Sequence, residues 1–160
     1  MQFQYRRILE QLAKYDVEFM VIGGVCAVAH GAPITTFDLD VLHRQTDENI
    51  DRILACLDSI HAYHREPGPR RLPPQRAALE ASGPSLFSTD YGSVDFLGEI
   101  SNKSFDEIMP DSILLDLCDG LKIRILKLEA LIQAKRDAGR AKDLAVLPVL
   151  METLNQRSKQ

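Results

Sequence analysis

Cysteine is scarce. Cys26, Cys56 and Cys118 are odd in number, far apart and free of any Cys-x-x-Cys spacing. That excludes a disulfide framework and a zinc knuckle, and it points to a reducing cytoplasm. An excess of basic charge is missing too: 19 Lys and Arg stand against 23 Asp and Glu, for a net charge of −4. A protein that coats nucleic acid without specificity is thereby disfavoured, although a local basic patch is not. No long apolar run occurs. The longest, Phe19 to Ala29, is broken by Gly23-Gly24 and is too short to span a bilayer. The opening MQFQYRR has no signal-peptide apolar core. The core-forming fraction, by contrast, is ample: 45% hydrophobic and 26% charged are ordinary values for a globular protein, which argues against disorder. The expectation is one cytoplasmic domain over residues 1–160 with no membrane partner.

Hydrophobic spacing sets the expected elements. Ile8, Leu9, Leu12 and Ala13 share one face of a helix over 4–15. A strand over 18–22 ends at the glycine pair, and a compact helix over 25–30 stops at Gly31. Residues 37–43 read as a second strand. Thr46 caps a helix through Ile60 with Ile50, Ile53, Leu54 and Leu57 as its stripe. From 63 to 83 the chain reads as a loop, because HREPGPRRLPPQR carries four prolines and four arginines. Two hairpins follow, one with strands 85–88 and 93–97, the other turning at Asp119-Gly120. Helices close the chain: 127–138 ended by Gly139, 141–147, and a last short helix begun by Pro148. The fold class is mixed α/β (α+β), a mixed sheet over 1–125 flanked by helices, with C-terminal helices over 126–157.

The chemistry concentrates in VIGGVCAVAHGAPITTFDLDVL, residues 21–42. Asp38 and Asp40 are two apart on a strand, so both leave the same face, with Cα atoms about 6.6 Å apart. Two such carboxylates repel unless a cation lies between them. Oxygen-only ligands favour Mg²⁺ or Mn²⁺ over zinc. A third acid, Asp95, lies in the apolar SVDFLG, and three strand-borne acids suit a two-metal arrangement for nucleotidyl transfer. The Gly23-Gly24 turn, about fifteen residues before Asp38, exposes backbone N–H groups that attract phosphate. His43 ends the acidic strand, within reach of a substrate. His61 and His64 show no obvious carboxylate partner, and Cys26 reads as a small core residue.

These segments together, VIGGVCAVAHG, TTFDLDVL and the later KLEALIQAKRDAGRAKDLAVLPVL, resemble the DNA polymerase beta-like nucleotidyltransferase superfamily. Within it they are most similar to small bacterial nucleotidyltransferase-fold proteins and to abortive-infection toxins of type IV toxin–antitoxin pairs. The resemblance implies that Gly23, Gly24 and Thr36 belong to the nucleotide site and that Asp38 and Asp40 hold both metal ions. It implies that Asp95 completes the catalytic metal site and helps deprotonate the acceptor, and that Lys135 and Asp143 contact the nucleotide. Relatives carry an arginine four residues before the first aspartate, where this chain has Ile34. Arg65, Arg70, Arg71 or Arg76 would then supply that contact, or meet a polyanionic acceptor.

The implied activity is Mg²⁺- or Mn²⁺-dependent transfer of an NMP from an NTP to a hydroxyl of a tRNA, a protein or a small molecule, with an antitoxin as a partner if the toxin role holds. Two other readings stand beside it. One is a degenerate nucleotide- or protein-binding module. The other is an interaction domain whose acids merely face solvent.

Overall fold

Residues 3–160 are described by the computed structural model; Met1 and Gln2, which open the segment read as lacking a signal-peptide core, lie outside the described residues. The first half runs α1 (Tyr5–Lys14), β1 (Phe19–Ile22), α2 (Gly23–Ala29), β2 (Asp38–His43), α3 (Asp47–Ser59), β3 (Tyr63–His64) and α4 (Arg76–Glu80). Next come β4 (Ser85–Thr89), β5 (Gly92–Leu97), β6 (Glu99–Ile100), β7 (Lys103–Ser104) and α5 (Phe105–Ile108). A 3-10 turn (Met109–Asp111), β8 (Ser112–Asp116), β9 (Lys122–Leu126), α6 (Leu128–Ala138) and α7 (Ala141–Ser158) complete the chain.

Seven strands form one mixed sheet in the order β3-β4-β5-β2-β1-β9-β8, with β6 and β7 as a separate ribbon. The central pairings decide the architecture: β1 is antiparallel to β2 and parallel to β9, and β2 is parallel to β5. Every residue of β1 is buried, so both faces of the sheet centre are covered. Helix α2 packs on β1, β2 and α6, and α6 packs on α7; α1 and α4 each pack on α3. The core they enclose includes fully buried Leu39, Val41, Phe87, Val94 and Phe96, each burial contributing roughly 1.5–3 kcal/mol. Thr46 caps α3 by accepting from the Asn49 N–H. Gly139 ends α6 at φ +64°, the left-handed conformation glycine adopts without strain. The mixed sheet flanked by helices, both hairpins and the α6 boundary match the sequence-based expectation.

Other segments differ. The proline- and arginine-rich stretch is not all loop. The His64 N–H donates to the Leu72 carbonyl and the Arg65 N–H to the Leu86 carbonyl, which extends an edge strand. Leu79 buries one side of α4, and Arg76 ties that helix to Asp51, Asp47 and Glu80. Helix α2 begins at Gly23 itself. The expected break at Pro148 is absent, because α7 runs through it. Leu144, whose carbonyl loses its helix donor, is a half-exposed residue. The ribbon and α5 had no sequence expectation, although Ser104 and Glu107 form a capping box there. His61 does have a carboxylate partner: its Nδ1 lies 2.6 Å from Asp90 at the surface. Cys26 is a core residue as expected, its Sγ donating to the Leu126 carbonyl, and burial pushes its thiol up to about 12. Among the described residues, no helix is long and apolar enough to cross a membrane.

Candidate active site

Strand register assembles the site. Asp40 stands opposite Ile22 of β1 on one side and Asp95 of β5 on the other. Asp95 in turn stands opposite Leu86 of β4, and the Leu86 carbonyl accepts the Arg65 N–H. Residues opposite one another share a face of the sheet, so Asp40, Asp95, Leu86 and Arg65 form one transverse row. The next row toward the start of β2 is Asp38, Ser93, Ser88 and Tyr63. The structure therefore brings Asp38, Asp40 and Asp95 to one face, and it adds Arg65.

The glycine turn is built against these acids. Gly23 has φ +68°, and a Cβ there would lie 2.9 Å from both Cβ and Cγ of Asp40. A Cβ on Gly24 would lie 2.7 Å from Thr36 Cβ. Both glycines thus let the turn close onto the acidic strand. Thr36 donates its hydroxyl to the Asp38 carbonyl at 3.2 Å, fixing the start of β2. Ile34, at the departed arginine position, packs partly buried against the core.

Charges at the site are close to self-compensating. Burial, followed by the Asp95 and Asp38 carboxylates, pushes Asp40 up to about 7, and the Lys135 ammonium pulls it back in part. Asp95 is also raised, chiefly by burial, while the Arg65 guanidinium opposes that shift. Arg65 Nη2 donates to Asp95 Oδ1 at 2.8 Å and Nη1 to the Phe87 carbonyl at 3.1 Å. The Arg65 guanidinium beside Asp95 and the Lys135 ammonium near Asp40 offset part of the cost of holding three carboxylates on one face. As they stand, no group of three or more His, Cys, Asp or Glu side chains among the described residues is gathered closely enough to hold a metal ion.

Lys135 and Asp143 are brought together as an ion pair. The Asp143 side chain is fully buried, and its oxygens accept from Lys135 Nζ at 3.1 Å and Arg140 Nε at 2.6 Å. Burial pushes its carboxyl up, but the Arg140 and Lys135 hydrogen bonds outweigh that and leave it below the ordinary value. Lys135 is three-quarters covered, and its charge reaches Asp40. Asp143 thus fixes the end of Lys135 by a hydrogen bond.

His43 does not reach the site. Alternation places it with Leu39 and Val41 on the opposite face of β2, where it is 1% exposed with Nε2 2.8 Å from the Leu79 carbonyl. Burial pushes its imidazole below the ordinary value. Of the four loop arginines, Arg76 is bound to α3 and Arg71 stacks 4.6 Å from the Tyr63 ring centroid. Arg65 alone among the four hydrogen-bonds a site carboxylate. The cross-strand register needed to select it is not visible in a proline-rich string.

No protein-family model matches the chain, and no curated protein matches it by sequence. Solved structures do. A Thermotoga maritima protein assigned as a nucleotidyltransferase aligns over 95% of this chain and 91% of its own, at 20% identity and a TM-score of 0.59. The antibiotic-resistance factor ANT(2'')-Ia in solution aligns over 94% and 82%, at 11% identity and a TM-score of 0.61. Its crystal structure in complex with adenylyl-2''-tobramycin aligns over 96% and 89%, at 12% identity and a TM-score of 0.59. The chain has the fold of these proteins, a nucleotidyltransferase fold.

Proposed function

From this fold and its acidic row, we propose that the chain is a metal-dependent nucleotidyltransferase that moves an NMP from an NTP to a hydroxyl acceptor. The observation that carries the proposal is Asp40 facing Asp95 across the parallel β2–β5 pair, with Asp38 two residues away on the same face. The donor set fits Mg²⁺ or Mn²⁺. It is all oxygen, and burial together with the neighbouring Asp95 and Asp38 carboxylates pushes Asp40 up to about 7, a cost of holding these charges together that a divalent cation would offset. Asp38, Asp40 and Asp95 would hold the cation, which neutralises the triphosphate and polarises the α-phosphoryl oxygens.

The chain's own residues supply the rest. As the acceptor oxygen bonds to the α-phosphorus, the bond to the α–β bridging oxygen breaks and pyrophosphate leaves. The hydroxyl proton passes to Asp95, which stands beside Asp40 in the acidic row, as to a general base. Lys135, aimed by Asp143, meets the donor phosphates beside Asp40. Gly23 and Gly24 keep side chains out of that approach, and Thr36 steadies the strand that carries the acids. Positioning and charge neutralisation account for most of the catalysis such a transfer needs.

The adenylylated aminoglycoside on ANT(2'')-Ia makes a small polyhydroxylated molecule the first acceptor to test. The likeness of the motifs to abortive-infection toxins adds tRNA and protein hydroxyls, with an antitoxin as partner, and free cysteines with an NTP donor suit a cytoplasmic setting. A second reading, a nucleotide-binding module without turnover, is favoured by one pair of facts. Arg65 engages Asp95, and Ile34 replaces the usual arginine.

The test incubates the protein with each α-phosphate-labelled NTP, Mg²⁺ or Mn²⁺, and an aminoglycoside, bulk tRNA or the protein alone. The expected result is pyrophosphate release with label transferred to one acceptor, abolished in Asp40→Asn. Metal-dependent nucleotide binding without pyrophosphate from any combination would establish the binding module instead.

A further inference from the structure

We propose that Arg65 is a resident counter-cation that makes metal loading depend on the nucleotide: its guanidinium holds Asp95 until a triphosphate offers it a better partner. The inference rests on the nucleotidyltransferase reading and assigns a regulatory step to that same site. Its physical basis is the transverse row. Adjacent strands lie about 4.8 Å apart, so Arg65, two strands from Asp95, spans the Leu86 position and places Nη2 on Asp95 Oδ1. The other end of the fork donates to the Phe87 carbonyl. Arg65 therefore occupies an oxygen that a divalent cation needs.

Several features make the contact exchangeable rather than purely structural. The Arg65 side chain is 32% exposed, and it enters the site from an edge strand whose following residues, Glu66 to Leu72, are exposed. A guanidinium fork suits phosphate oxygens at least as well as a single carboxylate oxygen. Arg70 and Arg71 share the exposed segment, but Arg71 is stacked on Tyr63. In the nucleotide-free protein, a divalent cation must displace Arg65 from Asp95. With a triphosphate present, the guanidinium turns to the phosphates and Asp95 is released to the metal.

The experiment measures Mn²⁺ binding by loss of the free-ion EPR signal, with and without a non-hydrolysable α,β-methylene NTP. It uses wild type, Arg65→Gln and Arg65→Met; the methionine keeps the aliphatic stem against β4, and circular dichroism confirms folding of both. Wild type should bind Mn²⁺ weakly alone and at least about tenfold more tightly with the analogue, the worth of one charge-assisted hydrogen bond. Both variants should bind Mn²⁺ alone about tenfold more tightly than wild type and show little gain from the analogue. An arginine that stays on Asp95 when the nucleotide binds would leave the gain from the analogue as large in both variants as in wild type, and that result would overturn the exchange. Equal or weaker Mn²⁺ binding by the variants, with wild type still loading metal and nucleotide, would overturn the role of Arg65 and leave the transferase reading standing. Failure of wild type to bind Mn²⁺ with any NTP would overturn both.

Discussion

Replacing Asp40 by asparagine in the metal-free protein removes a charge that the fold holds at a disadvantage while keeping the shape that packs on Gly23. Burial and the facing Asp95 push Asp40 up to about 7 from an ordinary 3.8. For an isolated group that shift is worth about 4 kcal/mol, and sharing the proton with Asp95 brings the figure to about 2–3 kcal/mol. The sign follows from linkage. A carboxyl whose folded-state pKa is raised contributes fully below the unfolded value and loses that contribution as pH climbs from 3.8 toward 7. In EDTA, Asp40→Asn should therefore be more stable than wild type at pH 8 by about 2–3 kcal/mol, a Tm gain of roughly 4–12 °C. The gap should close by pH 4. Urea unfolding of both proteins from pH 4 to pH 8.5 reads the combined titration of Asp40 and its neighbours Asp95 and Asp38, because groups away from the acidic row cancel in the difference. An Asp40→Asn protein of equal or lower stability at pH 8, or a gap that does not depend on pH, would refute the strained carboxylate pair.

Two further outcomes follow from the geometry. Gly23→Ala puts a methyl against Asp40 in a left-handed backbone conformation, which costs about 1–2 kcal/mol for the backbone alone; calorimetry should show a Tm loss of several degrees. Asp143→Ala leaves Lys135 and Arg140 without their buried partner. It should weaken NTP binding, read by fluorescence titration, and destabilise the fold by about 1–3 kcal/mol, the worth of the lost charge-assisted hydrogen bonds.

Much of this site is legible in one dimension, because its elements are local. Asp38 and Asp40 share a face by strand periodicity alone, and Gly23-Gly24 marks a turn whatever follows. The mixed sheet follows from apolar runs punctuated by Asp90-Tyr91-Gly92 and Asp119-Gly120. Non-local register is what sequence hides. Arg65 looks like Arg70, Arg71 and Arg76 in a proline-rich string until the β3–β4–β5 pairing puts it beside Asp95. His43 seemed close to a substrate by its position, yet one residue of strand alternation turns it into the core. Sequence likewise does not show that Asp143 is fully buried and paired with Lys135. Pro148 reads as a helix start because proline suits the first turn, yet α7 runs through it at the cost of one helix hydrogen bond.

The most direct measurement is thermal unfolding of wild type and the Asp38→Asn/Asp40→Asn double variant with each NTP, with and without Mg²⁺ or Mn²⁺. Saturation near 100 times Kd stabilises by about 2.7 kcal/mol, a shift of roughly 5–10 °C. The account requires that shift for at least one NTP in wild type, only with metal, and its loss in the double variant. No shift with any NTP and metal pair, or an equal shift in the double variant, would contradict it.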